Sequence, residues 1–274
     1  MNPRTAAPHW PTPPPAPLNG AVLVIAHLSD IHLDGTDEIA ARTRKVVDYL
    51  VSLRDRTRID CVLVTGDLAD HATDAEYEEV YKSVYAALPY PVLMCPGNHD
   101  RRDPYRRSLL RDDGGAEWIS EAPINESHVI NGVLFLMCDS SVPQRNEGLL
   151  DDETLQWIDG ELARATGPVF VCFHHPPVAL HQPVVDAIKL LNEERLADVL
   201  GRHRNVVAVL CGHAHTPAAT TFAGLPLLVA PGVKSSLLLP WESEAFVTSE
   251  LPPAFAFHIL GDDGRLTTHF RVVP

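Results

Sequence analysis

The sequence predicts an α/β layered fold with mixed sheets, on three observations. Apolar runs of strand length alternate with amphipathic helical stretches from residue 21 to residue 211, the rhythm of parallel strands joined by crossover helices. From about residue 219 the chain changes to short alternating strands, with Gly-Asp-Asp-Gly at 261–264 as a turn, which implies antiparallel strands late on. In the first part nearly every strand runs into a turn carrying Asp, Asn or His, so polar groups gather at strand ends.

Residues 1–20 hold seven prolines and no apolar run, the composition of a flexible or polyproline-like tail and not of a signal peptide. Residues 21–274 are expected to form one domain, because no linker divides them. Its first strand is AVLVIAHL (21–28), followed by a helix over 37–54 with Ile39, Val46, Val47, Leu50 and Leu53 on one side. The strand IDCVLVT (59–65), a helix over 74–88 and the strand PVLMC (91–95) come next. The run Arg101–Arg107 then reads as a solvated basic loop, or as a site for a distal phosphate or ribose edge. Asn131-Gly132 lies between HVI (128–130) and VLFLMCD (133–139), a hairpin signature. A helix over 151–165, a strand over 168–173, a helix over 184–200 and a strand over 205–211 complete the alternation. The late strands are expected at 219–222, 225–230, 255–260 and 266–272.

Composition narrows the functional classes. Hydrophobic residues at 45% and charged residues at 21% are those of a globular protein. A formal charge of −14 opposes binding of a nucleic-acid polymer or an anionic membrane, but a metal cluster can reverse the field locally for a small anionic substrate. The five cysteines sit in or beside apolar runs without a C-x-x-C pair, as buried free thiols in a reducing compartment do. The longest membrane-helix candidate, 225–240, is broken by Pro226, Pro231, Gly232 and Lys234. A cytoplasmic protein without stable membrane insertion is therefore expected. Leu237, Leu238, Leu239 and Trp241 read as exposed, which suggests a homodimer contact or a lid over the site.

The chemistry is carried by five strand ends: His27-Leu28-Ser29-Asp30-Ile31-His32, Gly66-Asp67-Leu68-Ala69-Asp70, Gly97-Asn98-His99-Asp100, His174-His175-Pro176-Pro177 and Gly212-His213-Ala214-His215. In an extended segment residues two apart point the same way, so Asp30 and His32 face one volume, as do His213 and His215. Carboxylate, imidazole and amide donors together suit Mn, Fe, Zn or Co better than an all-oxygen Ca or Mg site.

In this order, D-x-H, G-D-x-x-D, G-N-H-D, H-H-P-P and G-H-x-H resemble the motifs of the calcineurin-like metallophosphoesterases over roughly residues 22–232. The resemblance implies a four-layer αββα sandwich of two mixed sheets flanked by helices, with a dinuclear site at the strand ends. It implies that Asp30, His32 and His215 hold one transition-metal ion (Mn, Fe or Zn), that Asn98, His174 and His213 hold the other, and that Asp67 bridges them. A bridging hydroxide would attack the phosphorus. Asn98 and His99 would contact substrate, with His99 as general acid or transition-state stabiliser, and Asp70 would orient and charge His99.

His9, His71, His128, His203, His258 and His269 have no motif partner and read as surface or supporting groups. His27 supports Asp30 or fills the strand end; His175 points away by strand alternation; His181 lies in the loop after His-His-Pro-Pro, with substrate contact as its less favoured reading. The D-x-I-x-L-x-N stretch Asp186–Asn192 and the segment Phe255–Leu266 resemble the class III cyclic-nucleotide phosphodiesterases, which implies a 3′,5′-cyclic nucleotide such as cAMP. Broad activity on other small phosphoesters is the rival, and a non-catalytic scaffold of the same fold is the reading from another class. The Ser/Thr protein phosphatases of the superfamily would carry arginines where His71 and Gly97 stand, and a lipid-A-pathway pyrophosphatase would replace His99. A scaffold would show gaps among the ligands, and the sequence has none.

Overall fold

The computed structural model describes residues 21–111 and 122–274; the proline-rich segment lies outside the described residues. In chain order the first half holds β1 (Ala21–Leu28), α1 (Asp37–Ser52), β2 (Cys61–Thr65), α2 (Asp74–Val80), β3 (Val92–Cys95), α3 (Arg102–Tyr105), β4 (Glu126–Ile130) and β5 (Val133–Met137). There follow α4 (Asp152–Arg164), β6 (Val169–Cys172), α5 (Pro183–Asp186), α6 (Glu193–Leu200), β7 (Val206–Cys211), β8 (Ala218–Phe222) and β9 (Leu225–Val229). The last strands are β10 (Ser236–Leu237), β11 (Val247–Thr248), β12 (Ala254–Gly261) and β13 (Leu266–Val272).

Two mixed sheets result, one ordered β13-β12-β1-β2-β3 and one ordered β4-β5-β6-β7-β9-β8. The apolar strands are continuous because both of their faces are covered. Leu23, Ile25, Cys61 and Leu63 of the first sheet pack against Phe135, Met137, Phe170, Cys172, Ala208 and Leu210 of the second. The alternate residues Ala26, Leu28, Val62 and Val64 face outward onto α1 and α2. On the other side Leu136, Val171 and Val209 face α4 and α6. Period-two alternation thus sorts each strand between an inter-sheet core and a helical core, giving the four αββα layers. Phe135 and Phe170 stack across the middle at a centroid distance of 5.3 Å. All five cysteines are buried and unpaired.

Local signals explain most boundaries. Thr36 caps α1, and Thr73 and Glu76 form a reciprocal capping box on α2. Asn131-Gly132 and Ala223-Gly224 turn with positive φ at both residues, the conformation of tight hairpins joining β4 to β5 and β8 to β9. Two expectations are corrected. The helix over 184–200 is broken into α5 and α6, because Leu190 pairs with Gly148 like a strand and the Asn192 amide bonds both the N–H (3.2 Å) and the C=O (2.6 Å) of Leu150. Arg101–Arg107 is not a loop, since α3 and the π-helical turn Arg106–Leu110 cover all but Arg101, although Arg101 and Arg107 stay exposed as expected. Arg102 there donates to Asp139 at 2.8 Å and to the Ser141 carbonyl at 2.9 Å.

Near the carboxyl end Leu237 is buried, Leu238 and Leu239 are half-buried, and Trp241 is 72% exposed. The exposure expected for Leu237 is therefore corrected; it packs into the helical core of the second sheet.

His258, expected at the surface or in a supporting position, is fully buried beside His27. A line of hydrogen bonds runs Thr268 Oγ1, His258, His27, Thr65 Oγ1, with the two rings 3.0 Å apart between His27 Nδ1 and His258 Nε2. Burial lowers the pKa of His258 to about 3, and burial together with His258 holds that of His27 well below the ordinary value. Unfolded histidines protonate below about pH 6.5 while these folded ones resist, so the pair's contribution is intact at neutral pH and is lost as pH falls below that value. In urea titrations of chelator-treated protein below about pH 6, His258→Gln should reduce the pH slope of stability by about 1.4 kcal/mol per pH unit. Equal slopes for variant and parent would contradict the assignment.

Candidate dinuclear metal centre

The strand ends expected to carry the chemistry converge at one edge of both sheets. Asp30 and His32 follow β1, Asp67 follows β2, Asn98 and His99 follow β3, His174 follows β6, and His213 and His215 follow β7. Asp30, His32, Asp67, His213 and His215 all have left-handed backbones, with φ between 47° and 68°. Such conformations are costly for residues with a Cβ and persist where the surroundings over-determine them. Main-chain bonds do so here, Asp30 N–H to the Gly66 carbonyl at 3.1 Å and His32 N–H to that of Asp67 at 2.9 Å. Two glycines are required by close approach: a Cβ at Gly97 would overlap the Asp67 carboxylate, and one at Gly212 would overlap Ser29 Oγ.

Donor atoms form two groups. In the first, His215 Nε2 is 3.2 Å from His32 Nε2 and 3.3 Å from Asp30 Oδ1. In the second, His174 Nε2 lies 3.1 Å from both Asn98 Oδ1 and His213 Nδ1. Asp67 Oδ2 stands between them, 3.4 Å from His32 Nε2 and 3.2 Å from His174 Nε2. All seven predicted ligands are therefore brought together.

Their far sides are committed elsewhere. His32 Nδ1 bonds to Asp70 Oδ1 at 2.9 Å, His174 Nδ1 donates to the Thr65 carbonyl at 2.6 Å, and His215 Nδ1 bonds to Ser235 Oγ at 2.9 Å. Each of these bonds fixes a ring and aims its Nε2 at the shared space, the arrangement found around bound metals. Asp30 Oδ1 is buried without a hydrogen-bond partner. Buried polar atoms are seldom left so, and a cation among these donors would satisfy it.

The electrostatics agree. Burial, with the Asp67 charge adding to it, pushes the Asp30 carboxyl up to about 6. Burial opposes ionisation of Asp67 as well, but His174 and His32 hold it well below the usual carboxylate range. Burial lowers His32 and His213, and takes His215 down to about 4. His174 moves up to about 9 despite its burial, because Asp67 and Asp30 face it. Neutral His32, His213 and His215 with two close carboxylates are a donor set that divalent cations fit, and a cation there would take the place of the proton that the carboxylates keep on His174.

His99 is 40% exposed at the rim, with its ring 4.5 Å from that of His32, and its N–H bonds to Asp67 Oδ1 at 2.9 Å. The expected pairing of His99 with the Asp70 carboxylate is corrected in detail. His99 Nδ1 donates to the Asp70 main-chain carbonyl at 2.9 Å and lies 3.8 Å from the carboxylate. That carboxylate instead serves His32 and, at 2.7 Å, Lys234.

Sequence reasoning gave Asp100 no role, yet its buried carboxylate accepts the N–H groups of Gly97, Leu68 and Ala69 and the Tyr77 hydroxyl, which locks together the loops bearing Asp67 and Asn98. Its position in G-N-H-D was the only available signal. His175 uses both ring nitrogens, on Ser140 Oγ at 2.8 Å and the Asn146 carbonyl at 3.1 Å, and so supports rather than ligates. A cleft of about 1000 Å³ opens beside Asn98 and His99, lined also by His71, Arg101, Gln144 and Arg145. His181 is exposed and does not line it.

Fold and site together define a dinuclear metallophosphoesterase, an enzyme built around divalent metal ions. Residues 23–217 match the calcineurin-like phosphoesterase family, and the chain belongs to it. It is 34% identical over 216 residues to a probable cyclic nucleotide phosphodiesterase of Rhodococcus erythropolis, covering 75% of this chain and 69% of that one. It is 30% identical over 249 residues to a glycerophosphodiester phosphodiesterase of Enterobacter lignolyticus, covering 86% of each. A dimetal phosphatase from Danio rerio shares the fold, with a TM-score of 0.71 at 17% identity over 93% of this chain and 97% of that one. No helix among the described residues is long and apolar enough to cross a membrane.

Gly97→Ala should cost about 1–3 kcal/mol by overpacking. By displacing Asp67 it should also leave fewer than two ions per chain in elemental analysis after desalting. Two ions retained at unchanged stability would contradict the geometry.

Proposed function

We propose that this chain is a metal-dependent phosphodiesterase whose substrates are 3′,5′-cyclic nucleotides, cAMP foremost. The observation that carries the reading is the 34% identity to the probable cyclic nucleotide phosphodiesterase of Rhodococcus erythropolis across three quarters of the chain. The cleft beside His99 gives room for a nucleoside. Asp30, His32 and His215 would hold one ion (Mn, Fe or Zn) and Asn98, His174 and His213 the other, with the Asp67 carboxylate standing between the two groups. Two divalent ions there supply a water of lowered pKa and charge compensation for the phosphate oxygens.

The chain's own groups do the rest. The His99 Nδ1 proton is committed to a carbonyl, which can only accept. Nε2 is therefore the ring atom left for substrate, placed to act as general acid towards the departing ribose oxygen. Asn98 fixes the phosphate beside the same loop, and the Asp100 lock keeps Asn98 and Asp67 in register. A second reading, cleavage of glycerophosphodiesters, is favoured by the 30% identity to an enzyme of that name over 86% of both chains.

The deciding experiment compares turnover of cAMP, glycerophosphocholine and bis(p-nitrophenyl) phosphate by Mn-reconstituted protein. The cyclic-nucleotide reading expects chelator-sensitive cleavage with the highest kcat/KM on cAMP. Preference for glycerophosphocholine would replace it with the second reading. His99→Ala should keep its metal and lose turnover of the diester by about 10²–10⁴-fold; an unchanged rate would remove His99 from the mechanism.

A further inference from the structure

The four residues Gly232–Ser235, which follow β9 and belong to none of the predicted motifs, touch one half of the centre at every point. The main chain of Gly232 pairs with Ser29, and its N–H donates to the His215 carbonyl at 3.0 Å. Val233 N–H donates to the Ser29 carbonyl and Lys234 N–H to the Asp30 carbonyl, each at 3.0 Å. Lys234 Nζ reaches Asp70 Oδ1 at 2.7 Å, the same oxygen that holds His32 Nδ1 at 2.9 Å. Buried Ser235 holds His215 Nδ1. Asp30 and His215 are therefore supported directly from this strap, Asp30 through its backbone and His215 through its Nδ1, and His32 at one remove, through the Asp70 carboxylate that Lys234 holds. Among the described residues no hydrogen bond links the strap to Asn98, His174 or His213.

We propose that Lys234 and Ser235 are positioning residues that set the metal affinity of the Asp30–His32–His215 half selectively, leaving the other half to be fixed from β2 and β3. The proposal rests on the metal reading above. Its physical basis is that the orientation and basicity of a ligating imidazole depend on the partner of its other nitrogen. Lys234 pins Asp70 and draws on the oxygen that polarises His32, while Ser235 decides where the His215 ring points. Arg42 of α1 holds the strap in place, donating from Nε to the Val233 carbonyl at 3.0 Å and from its two other nitrogens to Ser249 and Leu251. The strap is thus anchored to the helical layer.

The test is calorimetric titration of chelator-stripped full-length protein with MnCl2, alongside the melting temperature of the metal-free form. Ser235→Ala and Lys234→Met should each weaken one of two binding events by about 10–100-fold and leave the other within a few-fold. The weakened event should be the one that disappears in His215→Ala. Lys234→Arg, which keeps the charge and a donor, should restore it, and the metal-free melting temperature of Ser235→Ala should stay near that of the parent. Two Mn ions bound by the parent with both events unchanged, or both weakened equally, in Ser235→Ala and Lys234→Met would overturn the proposal alone. A parent that takes up no Mn would overturn the metal centre and the proposal together.

Discussion

Asp67 is the group on which the rest of the site depends. Its Oδ2 is shared between His32 and His174, its Oδ1 accepts the His99 N–H, and its backbone carbonyl accepts the N–H of His32. A buried carboxylate beside a second one, Asp30, is expensive unless positive charge stands between them. That requirement explains features that would otherwise be liabilities: left-handed backbones at five ligand candidates, a glycine whose missing side chain makes room for the carboxylate, and the Asp30 oxygen buried without a partner. The two-sheet core supplies the rigidity that holds such strain, since each strand ending at the site is packed on both faces.

Around this centre runs a shell of bonds that ties the two sheets together. Asp100 clamps the loops after β2 and β3, and the Thr65 carbonyl sets His174. The loop after β5 is tied to the centre through His175, which bonds the Asn146 carbonyl. That loop is in turn clasped by the Asp186–Asn192 stretch through the Gly148–Leu190 pairing and the Asn192 amide. The stretch that resembles cyclic-nucleotide phosphodiesterases therefore acts on the cleft by shaping its wall, since Ser141 to Asn146 line the cleft and none of Asp186 to Asn192 does.

Much of this was legible in the sequence. Strand runs were readable because burial on both faces leaves continuous apolar segments, and the ligands because each motif sets Asp, Asn or His at a strand end; the extended alternation expected at D-x-H and H-x-H does not hold, since Asp30, His32, His213 and His215 all have left-handed backbones. Asn131-Gly132 announced its hairpin for a local reason, the tolerance of both residues for positive φ. What escaped depended on partners distant in sequence. Asp70 was assigned to His99 from its motif, but Lys234 and His32 claim the carboxylate, and Lys234 lies 164 positions away. The break between α5 and α6 arises from pairing with a loop 42 positions upstream, which outweighs helical periodicity. Arg102 looked solvated as part of a basic run, and only the fold brings Asp139 to it.

The most direct test is to add Mn back to chelator-stripped protein in measured equivalents while following both bound metal and turnover of bis(p-nitrophenyl) phosphate. A centre built around Asp67 between two ions predicts little turnover after the first equivalent and its rise with the second. Full turnover with one ion per chain, or with none, would contradict it.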